Sequence, residues 1–292
     1  MARTASVAAE RVAAAPPAAF FVVSAVFHYL GPSFAVLLFT RVDPLGVAWL
    51  RVASAGAAFA LWRRPWRALV EAGAEPWRLV IGLGVVLAVM NACFYIAIDR
   101  LPLGTVAAIE FLPVIVLAAL GIRSLRNLGA LLLAVAGVYA LVDVRVEGEP
   151  VGVVFAFANA VLFAAYIVLA HRLARSPTLE RIDGLAAAML VATVVVTPIG
   201  IVSAAPALLD LVAIAAGIGV GLASSVIPYV FDQLAMAKLS RAGYSLMVSL
   251  LPATATVIGL LVLAQVPTAV ELAGVALVVA AMALRRETES EG

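Results

Sequence analysis

A single cysteine, Cys93, and a single lysine, Lys238, stand in a chain of 292 residues. One thiol cannot close an intrachain disulfide or build a thiolate cluster, which excludes a stapled secreted domain and the Cys-rich metal sites. Only two histidines occur, His28 and His171, and neither sits in a metalloprotease helix motif. Phosphate-cradling glycine loops are missing too, so no metal, cofactor or catalytic residue is expected. Charge is also scarce: 12% of residues are Asp, Glu, Lys or Arg, about half the share in a soluble domain. The basic residues are scattered and form no patch that would hold nucleic acid.

What remains is apolar. Hydrophobic residues make up 65% of the chain, and they fall in runs of the ~20 residues that span a bilayer core of ~30 Å. The runs lie at 17–39, 44–62, 77–98, 103–121, 127–144, 150–171, 184–203, 207–231, 242–264 and 268–285. Period-2 alternation is absent, which excludes a barrel, and an open sheet leaves its backbone unsatisfied in lipid. An all-α membrane protein of ten transmembrane helices is therefore predicted. The connections are too short for a soluble catalytic domain, so no enzyme is expected. Residues 1–16 are too polar and Ala/Pro-broken for a cleaved signal, and the first run reads as a retained span.

Orientation follows from the loop charges. With the N-terminus inside, fifteen Lys/Arg fall on the inner side and three, Arg41, Arg100 and Arg145, on the outer. That bias places both termini in the cytoplasm. The dominance of arginine, alanine and valine reads as a GC-rich bacterial genome, hence a bacterial inner (cytoplasmic) membrane. Sliding the chain on itself aligns RLPLGTVAAIEFLPVIV with KLSRAGYSLMVSLLPATATV, so that Gly104 and Pro113 match Gly243 and Pro252. The offset is five spans, an odd number, which inverts the halves in the membrane. The expected divisions are 1–16 (tail), 17–146 (first repeat), 147–285 (second repeat) and 286–292 (tail). Inverted repeats of this kind build alternating-access carriers with a site at the repeat interface.

Polar residues inside the runs point to that site. A charge at mid-membrane costs ~2.5–3.5 kcal/mol on insertion scales and needs a partner or water. Arg51 and Glu110 each lie seven residues from the outer start of their runs, about 10 Å deep at the helical rise. Asn91 lies at a similar depth, with Tyr95 one turn above it. One reading is a structural Arg51–Glu110 ion pair. The other is a pocket that divides a zwitterion, with Arg51 taking a carboxylate, Glu110 an ammonium and Asn91 a hydroxyl or either end. Tyr29, Asn159, Tyr166 and Ser249 are further substrate-binding candidates, and Glu110 is the candidate for proton coupling. Pro113, Pro228 and Pro252 are candidate gates, because a proline inside a helix frees the carbonyl four residues earlier. For Pro228 that carbonyl belongs to Ser224, for Pro252 to Val248.

The segment MNACFYIAIDRLPLGTVAAIEF resembles the span three–four signature of the threonine/homoserine exporters in the EamA branch of the drug/metabolite transporter superfamily. Leu50-Arg51 with PWR at Pro65–Arg67, AAYIVLAHR around Tyr166 and SSVIPYVFD around Pro228 resemble further family segments. The resemblance implies two inverted five-helix EamA repeats and export of small amino acids, with Arg51, Asn91, Tyr95 and Glu110 at matching positions. This chain departs from the family pattern at Leu251 and Gln265, where the family carries glutamates, and in having one residue fewer between Glu110 and Pro113. Other expectations stand beside it. The cargo could be a hydrophobic or cationic metabolite or drug with Glu110 as counter-charge, or the chain could be a membrane receptor or intramembrane enzyme. Partners implied are a small-molecule substrate and the bilayer, with the chain a monomer or homodimer.

Overall fold

The computed structural model describes residues 16–67, 74–113, 115–116, 124–143, 149–174, 179, 181–228, 231 and 248–284. Apart from short connections they are helical: α1 (Pro17–Leu38), α2 (Pro44–Arg63), α3 (Ala74–Arg100), α4 (Leu103–Glu110), α5 (Leu125–Asp143), α6 (Pro150–Ala174), α7 (Arg181–Ala204), α8 (Leu211–Gly221), α9 (Leu251–Leu263) and α10 (Ala269–Leu284). Five helices are long and apolar enough to cross a membrane: Ala19–Leu38, Pro44–Arg63, Pro76–Arg100, Pro150–Ala170 and Ile182–Leu209. Shorter apolar helices cover Leu125–Leu141, Leu211–Val226, Leu251–Leu263 and Ala269–Leu284.

Helix starts follow local chemistry. Proline occupies the first turn of α1, α2 and α9, where its missing N–H is no loss. Asp210 begins α8 by accepting from the Val212 and Ala213 amides at 2.8 and 3.3 Å. Its carboxyl is held below the usual range by the Ala213 amide first, then by Arg41 and the Val212 amide. At the other end of α9, Ala264 adopts a left-handed conformation and the chain turns toward α10. There Gln265 Oε1 accepts from the Leu103 amide at 3.1 Å, tying the α9–α10 connection to the first turn of α4.

Two sequence expectations are corrected here. The run 207–231 is not one helix: Ala205–Leu209 is a 3-10 turn, Asp210 is a cap, and α8 passes into a π-helical turn at Leu222–Val226. In the run 242–264, residues 242–247 lie outside the described residues, and Pro252 opens α9 after a turn at 249–250. Pro252 therefore sits where a helix begins and breaks no α-helical bond, unlike the mid-helix kink expected. Pro113 follows the end of α4 at Glu110, with Phe111 as its C-cap.

The main helix contacts are α2 with α3, α7 and α8, α3 with α6 and α7, α5 with α10, α1 with α8 and α9, and α4 with α6 and α9. Close approach needs glycine at α5/α10: a Cβ on Gly137 would sit 2.7 Å from the Gly274 carbonyl oxygen, and one on Gly274 2.9 Å from that of Gly137. Ion pairs lie at the bundle ends. Arg63 joins Asp183 at 2.8 Å at one end; Arg41–Asp210 at 2.9 Å and Arg100–Glu149 at 3.8 Å join connections at the other.

Candidate functional site

Between α1, α2, α3, α4, α6, α7 and α8 lies a cavity of about 180 Å³ whose lining includes Arg51, Asn91, Glu110, Asn159, Ser224 and Ser225. Each polar group arrives from a different break in an apolar pattern. Arg51 sits in the second turn of α2, beyond Pro44. Glu110 is the last residue of α4. Ser224 and Ser225 occupy the π turn ahead of Pro228, whose ring supplies no N–H to the Ser224 carbonyl.

That carbonyl is not left idle. Arg51 donates from one terminal nitrogen to the Ser224 oxygen at 3.3 Å and from Nε to Ser225 Oγ at 3.3 Å. Its guanidinium also lies over the Tyr95 ring, 5.6 Å from the centroid, a cation–π arrangement. Gly31 of α1 makes room for this turn, since a Cβ there would lie 2.9 Å from the Ser224 nitrogen. Ser24 of the same helix donates to the Pro228 carbonyl at 3.1 Å.

Glu110 is buried and accepts a 3.0 Å hydrogen bond from Asn159 Nδ2. The other amide atom, Asn159 Oδ1, has no protein partner. Asn91 donates to the Leu87 carbonyl of its own helix at 2.8 Å. Arg51 and Glu110 feel each other's charge, yet neither forms a salt bridge among the described residues. A buried pair would cancel both charges; here each is held by neutral hydrogen-bond partners and both face the same space.

Of the residues singled out in the sequence, Arg51, Asn91, Glu110, Asn159, Tyr166 and Pro228 line the cavity. Tyr95 lies beneath Arg51, its hydroxyl near Ser224 without a hydrogen bond of ordinary geometry. Tyr29 is fully buried, edge-on to His28, with an unpartnered hydroxyl. Ser249 and Pro252 are buried and Pro113 half-buried, and all three lie outside the cavity lining. His28, Ser224 and Ser225 line the site, though the sequence offered little reason to choose them. Ser225 follows the residue that Pro228 leaves unbonded, which was the available signal.

Charged and polar side chains gathered around a cavity among apolar helices are what a membrane transport protein requires. Residues 150–285 match the EamA-like transporter family. The second half of the chain is thus similar to EamA-like transporters. Over nearly the whole chain it is similar to the threonine/homoserine exporter RhtA of Salmonella typhimurium (strain SL1344), 28% identical over 267 residues, 89% of each protein. RhtA of Escherichia coli is likewise 28% identical, over 256 residues that cover 86% of this chain and 84% of the relative. A solved structure described as "Crystal structure of protein" shares the fold, with a TM-score of 0.58 at 19% identity, covering 91% of this chain and 96% of its own.

Proposed function

We propose that the protein exports small neutral α-amino acids, of the threonine and homoserine kind, across a bacterial inner membrane by alternating access. The carrying observation is the pair Arg51 and Glu110, brought by different helices to one cavity and left unpaired with each other. Arg51 offers a planar fork to a carboxylate. Glu110 with the free Asn159 Oδ1 offers two acceptors to an ammonium. The printed activity of the RhtA relatives supports amino acids as cargo.

The helix contacts support two inverted five-helix repeats within ten spans. Adding five to each helix number carries α3/α6 onto α8/α1, α3/α7 onto α8/α2, and α1/α9 onto α6/α4; α2/α7, α4/α9 and α5/α10 map onto themselves, while α2/α3 has no comparable counterpart at α7/α8 among the described residues. Loop charge favours cytoplasmic termini. Pro113 and Pro228, with the turn ahead of Pro252, are the proposed flexing points.

Glu110 is the proposed proton carrier, exchanging a proton for the ammonium. The test is gradient-driven uptake of labelled threonine into inverted vesicles. Glu110→Gln abolishes uptake while the protein still inserts and elutes normally. Full gradient-dependent uptake by that variant removes Glu110 from the mechanism, and absence of uptake by the native protein removes export of threonine.

A further inference from the structure

The cavity lining is divided along the bundle axis. On α2, Phe59 follows Arg51 by eight residues, about 12 Å at the helical rise, and both line the cavity. On α3, Leu87 precedes Asn91 by one turn; on α6, Phe163 follows Asn159 by one turn; α7 contributes Leu185 and Met189 from its first turns. The Arg63–Asp183 pair joins the end of α2 to the start of α7, so these offsets share one direction. Arg51, Asn91, Glu110 and Asn159 lie in the part of the cavity nearer Arg41 and Asp210, with Phe94 among them. Phe59, Leu87, Phe163, Leu185 and Met189 lie in the part nearer Arg63 and Asp183.

We propose that this apolar part is a side-chain pouch, and that the transporter prefers amino acids with apolar side chains, such as leucine and methionine, over threonine and homoserine. The inference rests on the amino-acid reading above and departs from it in ranking the cargo. With carboxylate at Arg51 and ammonium at Glu110, the side chain projects toward Phe59, Leu87, Leu185 and Met189. Those four side chains carry no hydrogen-bonding group; His28 of α1 also lines the cavity and lies edge-on to Tyr29. Tyr166, which has a polar tip, is stacked on Phe163 at 5.9 Å. A hydroxyl placed in such a pouch loses water without replacement, whereas each added methylene gains burial. Small hydrophobic pockets discriminate by roughly 10–200-fold per methylene.

The test is a titration of the full chain in nanodiscs with leucine, methionine, threonine and homoserine, following the thermal midpoint, which a ligand of the folded state raises. Leucine and methionine reach half-maximal stabilisation at concentrations about tenfold or more below the two hydroxyl amino acids. Met189→Gln, which puts an amide into the pouch, narrows that ratio. Threonine or homoserine binding as tightly as leucine and methionine overturns the pouch and leaves the amino-acid reading standing. Stabilisation by none of the four overturns both. The ranking on the unaltered protein decides the matter even where the variant fails to fold.

Discussion

Breaking the Asn159–Glu110 hydrogen bond has a magnitude that the geometry sets. Asn159 is fully buried and donates at 3.0 Å to a carboxylate that has no other side-chain partner among the described residues. A hydrogen bond to a charged group contributes about 1.5–3 kcal/mol. Interhelical hydrogen bonds in membrane proteins average about 0.6 kcal/mol and reach about 1.7. For a fully buried bond to a carboxylate we expect the top of the membrane range, about 1.5 kcal/mol. The assay is a double-mutant cycle of Asn159→Leu and Glu110→Leu, with unfolding free energies measured in mixed micelles. Leucine is larger than asparagine, and the resulting overpacking enters both Asn159→Leu variants and cancels in the cycle. Each single variant leaves one buried polar group without its partner, so the double variant is less destabilised than the sum. A coupling below about 0.5 kcal/mol, the ordinary scatter of additivity, refutes the hydrogen bond as a support of the site.

Other predictions concern the frame. Gly137→Leu drives a side chain into the Gly274 carbonyl and destabilises the α5/α10 pair by about 1–3 kcal/mol, as overpacking does; an unchanged thermal midpoint contradicts this crossing. Asp210 has a depressed pKa, so its contribution to folding is complete above its unfolded value of 3.8 and fades as pH falls through the lower folded value. Asp210→Asn therefore lowers the thermal midpoint at pH 7 and loses that effect as the pH falls through the lowered folded value. A pH-independent difference contradicts a contribution from the Asp210 charge.

Much of this was legible in the sequence for one reason: lipid tolerates few polar groups, so each exception is visible. Arg51, Asn91, Glu110 and Asn159 interrupt apolar runs, and the structure brings all four to one cavity. Pro228 also announced its consequence, since the Ser224 carbonyl it frees is the one that Arg51 reaches. Boundaries were less legible where hydropathy stays high across a break. Asp210 divides an apolar stretch, and only its position two residues before the Val212 amide marks it as a cap. Tyr29 and Ser249 are polar residues that a helix bundle can bury away from the site, and nothing local distinguishes those from lining residues. The apolar wall was the least visible part. Phe59, Leu87 and Met189 look like any other core residue until the helices are assembled.

Recognition of both charged ends of an amino acid by Arg51 and Glu110 is most directly tested by calorimetric titration with three ligands that share one side chain. These are leucine, the amine that lacks its carboxylate, and the N-acetyl acid that lacks its ammonium. Each lost charge-assisted contact is worth about 1.5–3 kcal/mol, so both analogues bind more than about tenfold more weakly than leucine. An analogue that binds as tightly as the amino acid contradicts the division of a zwitterion between these two side chains.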